Sequence, residues 1–120
     1  MTKKPINNNI HKRIFDFVIR VLRLAKALPK TQQNLIFIKQ ITRSVTSIGA
    51  NDQEADGSTT RKDFYHCLTI VKKETKETNY WLKIIAETNN SLKKRMTALI
   101  QEGQEIEAII SSIVQKGKYK

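Results

Sequence analysis

Glu74 and Glu77 are the carboxylates whose spacing could place two metal ligands on one helix. A four-helix bundle that holds two iron ions needs such glutamates together with Glu-x-x-His pairs that face its interior. The histidines are His11 and His66, and neither follows a glutamate at that spacing. Glu77 instead lies four residues after Lys73, a spacing that favours an ion pair along a helix. The sequence therefore predicts no metal ion and no other cofactor.

Cys67, the one cysteine of the chain, is a second candidate for direct chemistry. It lies within a helical stretch beside Leu68, so we expect a packed thiol that does not act as a nucleophile. A single cysteine cannot close a disulfide within the chain, which favours the reducing cytoplasm as its compartment. No apolar run approaches the ~18 residues of a membrane-spanning helix, so no membrane association is expected.

Positive charge is the strongest compositional signal. The 120 residues include 22 Lys and Arg against 11 Asp and Glu, a net charge of +11. Residues 1–50 hold ten basic residues and one acidic residue, so the excess lies mainly in the first half. Such asymmetry favours an anionic partner, and nucleic acid is the usual one. We expect seven residues to contact the phosphates of RNA or DNA: Lys12, Arg13, Arg20, Arg23, Lys26, Lys39 and Arg43.

Binding through phosphates has two expected properties. It is largely independent of base sequence, and it weakens steeply as salt rises, because each neutralised phosphate releases condensed counterions. Little aromatic surface is expected to be exposed in the first half, so stacking on bases is not predicted. The alternative partner is a protein with an acidic surface, for which the chain would serve as an interaction scaffold.

Four amphipathic helices are predicted to position these residues. Apolar residues recur at intervals of three and four in segments from about residues 9 to 28, 31 to 51 or a little beyond, 60 to 88 and 92 to 116. Pro29, a polar turn over residues 52–59 and a break at residues 89–91 separate them. Short connections favour an antiparallel up-down-up-down four-helix bundle over residues 9–117. Residues 1–8 are expected to form a flexible basic N-terminus, and residues 118–120 a short tail.

Small and polar residues interrupt two of the apolar stripes. Ser47, Gly49 and Ala50 stand where bulky core residues would be expected. Because small side chains let a neighbouring backbone approach, we expect the tightest helix contact of the fold there. Thr75 and Thr78 lie in the stripe of the third helix, which indicates either a close helix crossing or a seam between subunits.

Residues 47–51, S-I-G-A-N, resemble a motif of the small bacterial four-helix-bundle proteins first noticed in intervening sequences of large-subunit ribosomal RNA genes. The family motif continues with two variable residues, then Glu and Ala or Gly, which Glu54 and Ala55 match. Residues 77–82, E-T-N-Y-W-L, are similar to the E-T-x-Y-W-L signature of one branch. Asp52 departs from the pattern, because an apolar residue usually follows the Asn. The resemblance extends over roughly residues 10 to 115.

The resemblance implies an assembly and a further partner. Relatives form homopentameric barrels with helices packed side by side around an axis, so it implies a homopentamer of this chain. Accessory proteins of diversity-generating retroelements belong to the same family; there the pentamer binds a reverse transcriptase and its template RNA and has no catalytic centre. Architectural roles in the bundle or the subunit seam are implied for six residues: Ser47, Gly49, Ala50, Asn51, Glu77 and Trp81.

Arg61 and His66 resemble a second pattern, the Arg-x4-His of the HEPN helical ribonucleases. In those proteins an Arg and a His from paired subunits act on the ribose 2′-hydroxyl and phosphate. The pair lies near the start of the predicted third helix, whereas that superfamily places it in a later helix. Metal-independent RNA cleavage through Arg61 and His66 is the enzymatic alternative, and a non-catalytic nucleic-acid-binding protein is the leading prediction.

Overall fold

The computed structural model describes residues 8–117. Its four long helices are α1 (Asn8–Ala27), α2 (Gln32–Asp56), α3 (Arg61–Thr88) and α5 (Thr97–Gly117). A one-turn helix, α4 (Asn90–Lys93), and a 3-10 turn (Lys94–Met96) connect α3 to α5. No β-strand occurs in the described residues, so the predicted all-α fold with four long helices is confirmed. Residue 8 of the predicted flexible N-terminus begins α1, and residues 1–7 and 118–120 lie outside the described range.

Neighbouring helices run in opposite directions. His11, near the start of α1, contacts Asp52 near the end of α2. Asn34, near the start of α2, contacts Asn89 at the end of α3. The bundle is elongated, with extents of 48 × 23 × 22 Å. This arrangement is the predicted antiparallel up-down-up-down bundle.

Apolar stripes from all four long helices form the core. Their spacing of three and four residues turns one face of each helix inward. Each fully buried large apolar side chain contributes about 1.5–3 kcal/mol relative to an exposed one. The largest of these side chains include Ile14, Phe17, Leu28, Ile41, Ile48, Leu68, Leu82, Ile85, Ile106 and Ile110.

A pair of amides joins two connections at one end of the bundle. The Asn34 Nδ2 group donates to the Pro29 carbonyl and to Asn89 Oδ1, both at 2.9 Å. Asn89 Nδ2 donates in return to Asn34 Oδ1 at 3.0 Å. Because Asn34 is buried, these bonds satisfy groups that would otherwise be costly to remove from water. We call this set of bonds the amide clamp.

The second helix is longer than predicted. It continues through residue 52, where a turn was expected, and ends at Asp56 with Gly57 as its C-cap. The prediction was wrong because it treated the polar segment as solvent-exposed. Asp52 and Ala55 are instead only 2% and 1% exposed, and Asp52 is paired with His11 across the bundle.

The fourth predicted helix is interrupted. It begins at Asn90, tightens into a 3-10 turn and resumes at Thr97. Met96, at the end of this turn, is buried in the core with 2% exposure. Lys94 and Arg95 in the same turn are exposed, and Arg95 lies beside the C-terminal half of α1.

The tightest approach to a small residue occurs on another helix than expected. Ala50 is exposed, and a β-carbon added at Gly49 would lie 3.4 Å from Val18 Cγ2, an ordinary contact. A β-carbon at Gly103 of α5 would overlap the amide of Asn79. The tight contact expected at residues 47–50 does not form because Ala50 lies on the outward side of α2. Thr75 and Thr78 are fully buried within the bundle.

Candidate nucleic-acid interface

Cations concentrate in the half of the bundle that contains the amide clamp. Residues 20–39 include no acidic residue. Residues 83–95 run alongside them and include one acidic residue, Glu87. We call the following nine residues the basic half: Arg20, Arg23, Lys26, Lys30, Lys39, Lys83, Lys93, Lys94 and Arg95. Glu87 lies 2.8 Å from Lys93 Nζ and neutralises part of this charge.

Three arginines line one groove between α1 and the start of α5. Arg20 and Arg23 come from α1, and Arg95 comes from the 3-10 turn. All three are exposed, and none has an ion-pair partner among the described residues. The groove has a volume of about 400 Å³. Its apolar lining consists of Leu24, Ala27, Leu92, Met96 and Leu99.

Sequence reasoning missed Arg95. The charge count directed attention to the first half of the chain, whereas Arg95 belongs to the second half. The run of three cations at residues 93–95 was the available signal. A continuous fourth helix was expected there. The 3-10 turn that brings Arg95 to the groove has no recognisable signal in the sequence.

Arg13 forms ion pairs within the chain. Its guanidinium donates to both carboxylate oxygens of Glu102, at 2.6 and 3.0 Å, and to Glu105 Oε1 at 2.9 Å. The hydrogen bond to Glu102 raises the pKa of Arg13 above its ordinary value. Arg13 thus joins α1 to α5, and its charge is compensated by two carboxylates.

Arg43 is also engaged within the chain. It pairs with Glu77 of α3, and its Nη1 lies 3.4 Å from Glu74 Oε1. Glu77 also accepts a hydrogen bond from Trp81 Nε1 at 3.0 Å. The bonds from Arg43 and Trp81 hold the pKa of Glu77 below its usual value. The Trp81 ring packs against Phe37 with centroids 6.1 Å apart, so this group ties α2 to α3.

The remaining predicted phosphate contacts differ in their surroundings. Lys12 donates to Asp16 one turn along α1, at 2.7 Å, on an exposed surface. Lys26 and Lys39 are exposed, and no ion pair or side-chain hydrogen bond engages either ammonium group within the described part of the chain. Of the seven predicted residues, the structure thus brings Arg20 and Arg23 to one groove and leaves Lys26 and Lys39 in the same half.

The S-I-G-A-N residues lie on one stretch of α2. Asn51 Nδ2 donates to the Ser47 carbonyl at 3.0 Å and to Ser47 Oγ at 3.2 Å, so both bonds stay within the helix. Gly49 and Ala50 line a shallow groove of about 290 Å³ between α1 and α2, where Phe15 is also found. Glu77 and Trp81, the other two residues for which a packing role was predicted, lie on α3.

His11 and Asp52 form a buried pair that sequence reasoning missed. His11 Nδ1 lies 2.9 and 3.0 Å from the two carboxylate oxygens of Asp52, and His11 Nε2 lies 3.4 Å from Asp56 Oδ1. Burial raises the pKa of Asp52, and the hydrogen bond with His11 opposes that shift. The departure of Asp52 from the family pattern was the one sequence signal for this contact.

The catalytic candidates make no direct contact within the described residues. Arg61 and His66 are both exposed at the start of α3, five positions apart, and no hydrogen bond joins their side chains in this part of the chain. Burial raises the pKa of the Cys67 thiol, which lowers its thiolate fraction. Between residues 8 and 117, no group of three or more His, Cys, Asp and Glu side chains is arranged to hold a metal ion. No helix in that range is long and apolar enough to span a membrane.

The chain is similar to one group of known proteins. A crystal structure from Bacteroides thetaiotaomicron, described as a protein with unknown function from the S23 ribosomal protein family, is 34% identical with a TM-score of 0.80. The alignment covers 90% of this chain and 96% of that chain. Comparison with curated proteins gives no match. The model of the 23S rRNA-intervening sequence protein family matches residues 7–112, and the chain therefore belongs to that family.

Proposed function

We propose that this protein is a non-catalytic binder of RNA or DNA that contacts the phosphate backbone through its basic half. The observation that carries the proposal is the groove between α1 and α5, where Arg20, Arg23 and Arg95 carry uncompensated charge. Lys26 and Lys39 are exposed cations in the same half of the bundle. Guanidinium groups are well suited to phosphates because they offer several N–H donors in a planar fork.

Charge compensation separates the proposed contacts from the other cations. Arg13 and Arg43 already donate to carboxylates that join helices, so moving either one to a phosphate would leave a glutamate without its partner. Lys12 shares its charge with Asp16. We therefore assign structural roles to Arg13 and Arg43, although the charge count alone placed them among the phosphate contacts.

Self-assembly is a second part of the proposal. The family resemblance favours a homopentameric barrel, in which five copies would repeat the basic half around an axis. Clustering like charges strengthens non-specific attraction to a polyanion. By the same resemblance, we propose a reverse transcriptase of a diversity-generating retroelement as a protein partner. From the single cysteine, which stays reduced there, we propose the cytoplasm as the compartment.

Charge reversal tests the nucleic-acid part. The double variant Arg20→Glu with Arg23→Glu should weaken binding of a fluorescein-labelled RNA 12-mer by more than about tenfold, measured by anisotropy at low salt. Arg61→Glu with Lys62→Glu is the matched control, because it makes the same charge change on exposed residues in the opposite half. Equal losses in both variants would mean that net charge alone drives binding.

A mass measurement in solution tests the assembly and the scaffold alternative together. Light scattering before and after nuclease treatment should give about five times the chain mass of 13.9 kDa after treatment, with excess absorbance at 260 nm before it. A 13.9 kDa monomer would contradict the assembly. A preparation free of nucleic acid that also fails to bind the 12-mer would favour an acidic protein partner.

A further inference from the structure

The groove that holds the three arginines does not end at Arg20. A second groove, of about 670 Å³, adjoins it along α1 and shares Arg20 and Arg23 with it. Its lining adds Ile19, Phe15 and the ion-paired Arg13 toward the start of α1. Together the two grooves form one track that runs along α1 from the α5 side at Arg95 to Phe15, which also borders the groove between α1 and α2, and we call it the seam track.

Phe15 gives the seam track an exposed aromatic surface. Its side chain is 64% exposed, which corrects the expectation that the first half would offer no aromatic platform. Two carboxylates also line this part of the track, Asp16 and Glu102. Asp16 is paired with Lys12. Glu102 is paired with Arg13, but Arg13 is shared with Glu105, so this group of three residues keeps one net negative charge against the three arginines.

We propose that the seam track binds a single strand of RNA or DNA, with a base stacked on Phe15 and phosphates on Arg20, Arg23 and Arg95. This inference rests on the proposed function and specifies the form of nucleic acid that it takes. Proteins that bind single strands combine a positive groove with aromatic side chains on which bases stack. The seam track has both features, because Phe15, Arg20 and Arg23 line its second groove together.

The chemistry of the lining favours a single strand over a duplex. In a duplex the bases are stacked on one another and the phosphates are outermost, so a duplex could reach the arginines but would leave Phe15 and the apolar lining in contact with water. An unpaired base offers a flat face to Phe15, to Leu92 and to the planes of the guanidinium groups. A groove of about 400 Å³ also falls in the size range of sites that hold a small ligand such as one nucleotide.

The test compares a 12-nucleotide oligo(U) RNA with a 12-base-pair RNA duplex, each labelled with fluorescein, at the same salt concentration. Phe15→Ala should weaken binding of the single strand by about tenfold and leave binding of the duplex unchanged within about twofold. Phe15→Trp should keep the single-strand affinity, because an indole also stacks on bases. Tyr80→Ala is the matched control, since Tyr80 is 57% exposed and lies on α3, outside the seam track.

The outcomes separate this inference from the proposed function. If neither RNA binds, both are overturned. If both RNAs bind equally and Phe15→Ala alters neither affinity, the proposed function stands and the seam track is overturned. If Phe15→Ala lowers the mass of the protein in solution and weakens both RNAs equally, Phe15 is a contact between copies of the chain, and the single-strand inference fails. Thermal unfolding of each variant checks that the fold is intact.

Discussion

Asn79 of α3 lies against the backbone of Gly103 of α5, and its Nδ2 group donates a 2.9 Å hydrogen bond to the Gly103 carbonyl. The same amide donates to Glu107 Oε1 at 2.8 Å. Both residues of the Asn79–Gly103 contact are buried. A β-carbon at position 103 would overlap the Asn79 amide and would lie 3.0 Å from Phe17 Cζ, so this crossing needs a glycine.

Gly103→Ala should lower the free energy of unfolding by about 1–3 kcal/mol, because the added methyl group displaces Asn79 from its hydrogen bonds. Gly49→Ala is the control. Its new β-carbon meets Val18 at an ordinary distance, and alanine is favoured over glycine in a helix by roughly 0.5–1 kcal/mol. Urea unfolding followed by circular dichroism measures both. A Gly103→Ala variant as stable as Gly49→Ala would show that α3 and α5 do not cross here.

The His11–Asp52 pair should be energetically coupled. Asp52→Ala leaves a largely buried imidazole without its acceptor, and His11→Ala leaves a buried carboxylate without its donor. Each single change should cost about 2 kcal/mol, and the double variant should cost less than the sum by about 1–2 kcal/mol. The exposed Lys12–Asp16 pair is the comparison, with an expected coupling of about 0.3–0.5 kcal/mol. Equal coupling in the two cycles would contradict the buried contact.

The Arg43–Glu77 pair should stabilise the fold at neutral pH and lose this effect in acid. The pKa of Glu77 is lower in the folded chain than its ordinary value of 4.5, so the folded state releases this proton more readily than the unfolded state does. The contribution is therefore present above about pH 4.5 and is lost as pH falls through the folded-state pKa.

Arg43→Gln is the variant that measures this pair. Arg43 is half exposed, so the loss at pH 7 should be only about 0.5–1 kcal/mol, and it should shrink as pH falls below about 4.5. Trp81 is the one tryptophan of the chain and donates to Glu77, so its fluorescence should follow the same titration. Lys39→Gln, an exposed cation with no ion pair among the described residues, should show neither effect. A stability gap that is constant with pH would contradict the assignment.

RNA should survive incubation with this protein under multiple-turnover conditions without added metal. The proposed phosphate contacts lie in the opposite half of the bundle from Arg61 and His66, which are exposed at the start of α3. Gel analysis of labelled RNA, with the protein in substoichiometric amount, measures any cleavage. Turnover that His66→Ala abolishes would overturn the non-catalytic proposal in favour of a site shared between subunits.

Periodicity was enough to predict the architecture. Ile14, Ile41, Leu68 and Ile106 all lie in stripes of three-and-four spacing, and all four are buried, because helical geometry alone determines which residues share a face. The polar contacts depend on distances between helices, and the periodicity of apolar residues gives no information about those distances. Asp52 looked like the start of a turn until its partner on another helix was known.

The candidate interface was predictable only in part. Net charge indicated an anionic partner but could not separate cations with carboxylate neighbours from those without. Arg13 and Arg20 look equivalent in the sequence, yet Glu102 compensates the first and no carboxylate compensates the second within the described residues. Arg95 reaches the groove through a 3-10 turn, a local winding that the pattern of apolar residues does not specify.

The dependence of affinity on salt tests the central claim most directly. For a single strand, the logarithm of the binding constant should fall linearly with the logarithm of salt concentration, by about 0.7 for each phosphate contacted. The triple variant Arg20→Gln, Arg23→Gln, Arg95→Gln should therefore reduce that slope by about 2, while Arg61→Gln with Lys62→Gln, on exposed residues of the opposite half, leaves it nearly unchanged. A slope that stays the same in the triple variant, or that falls equally with the Arg61 and Lys62 changes, would contradict the account.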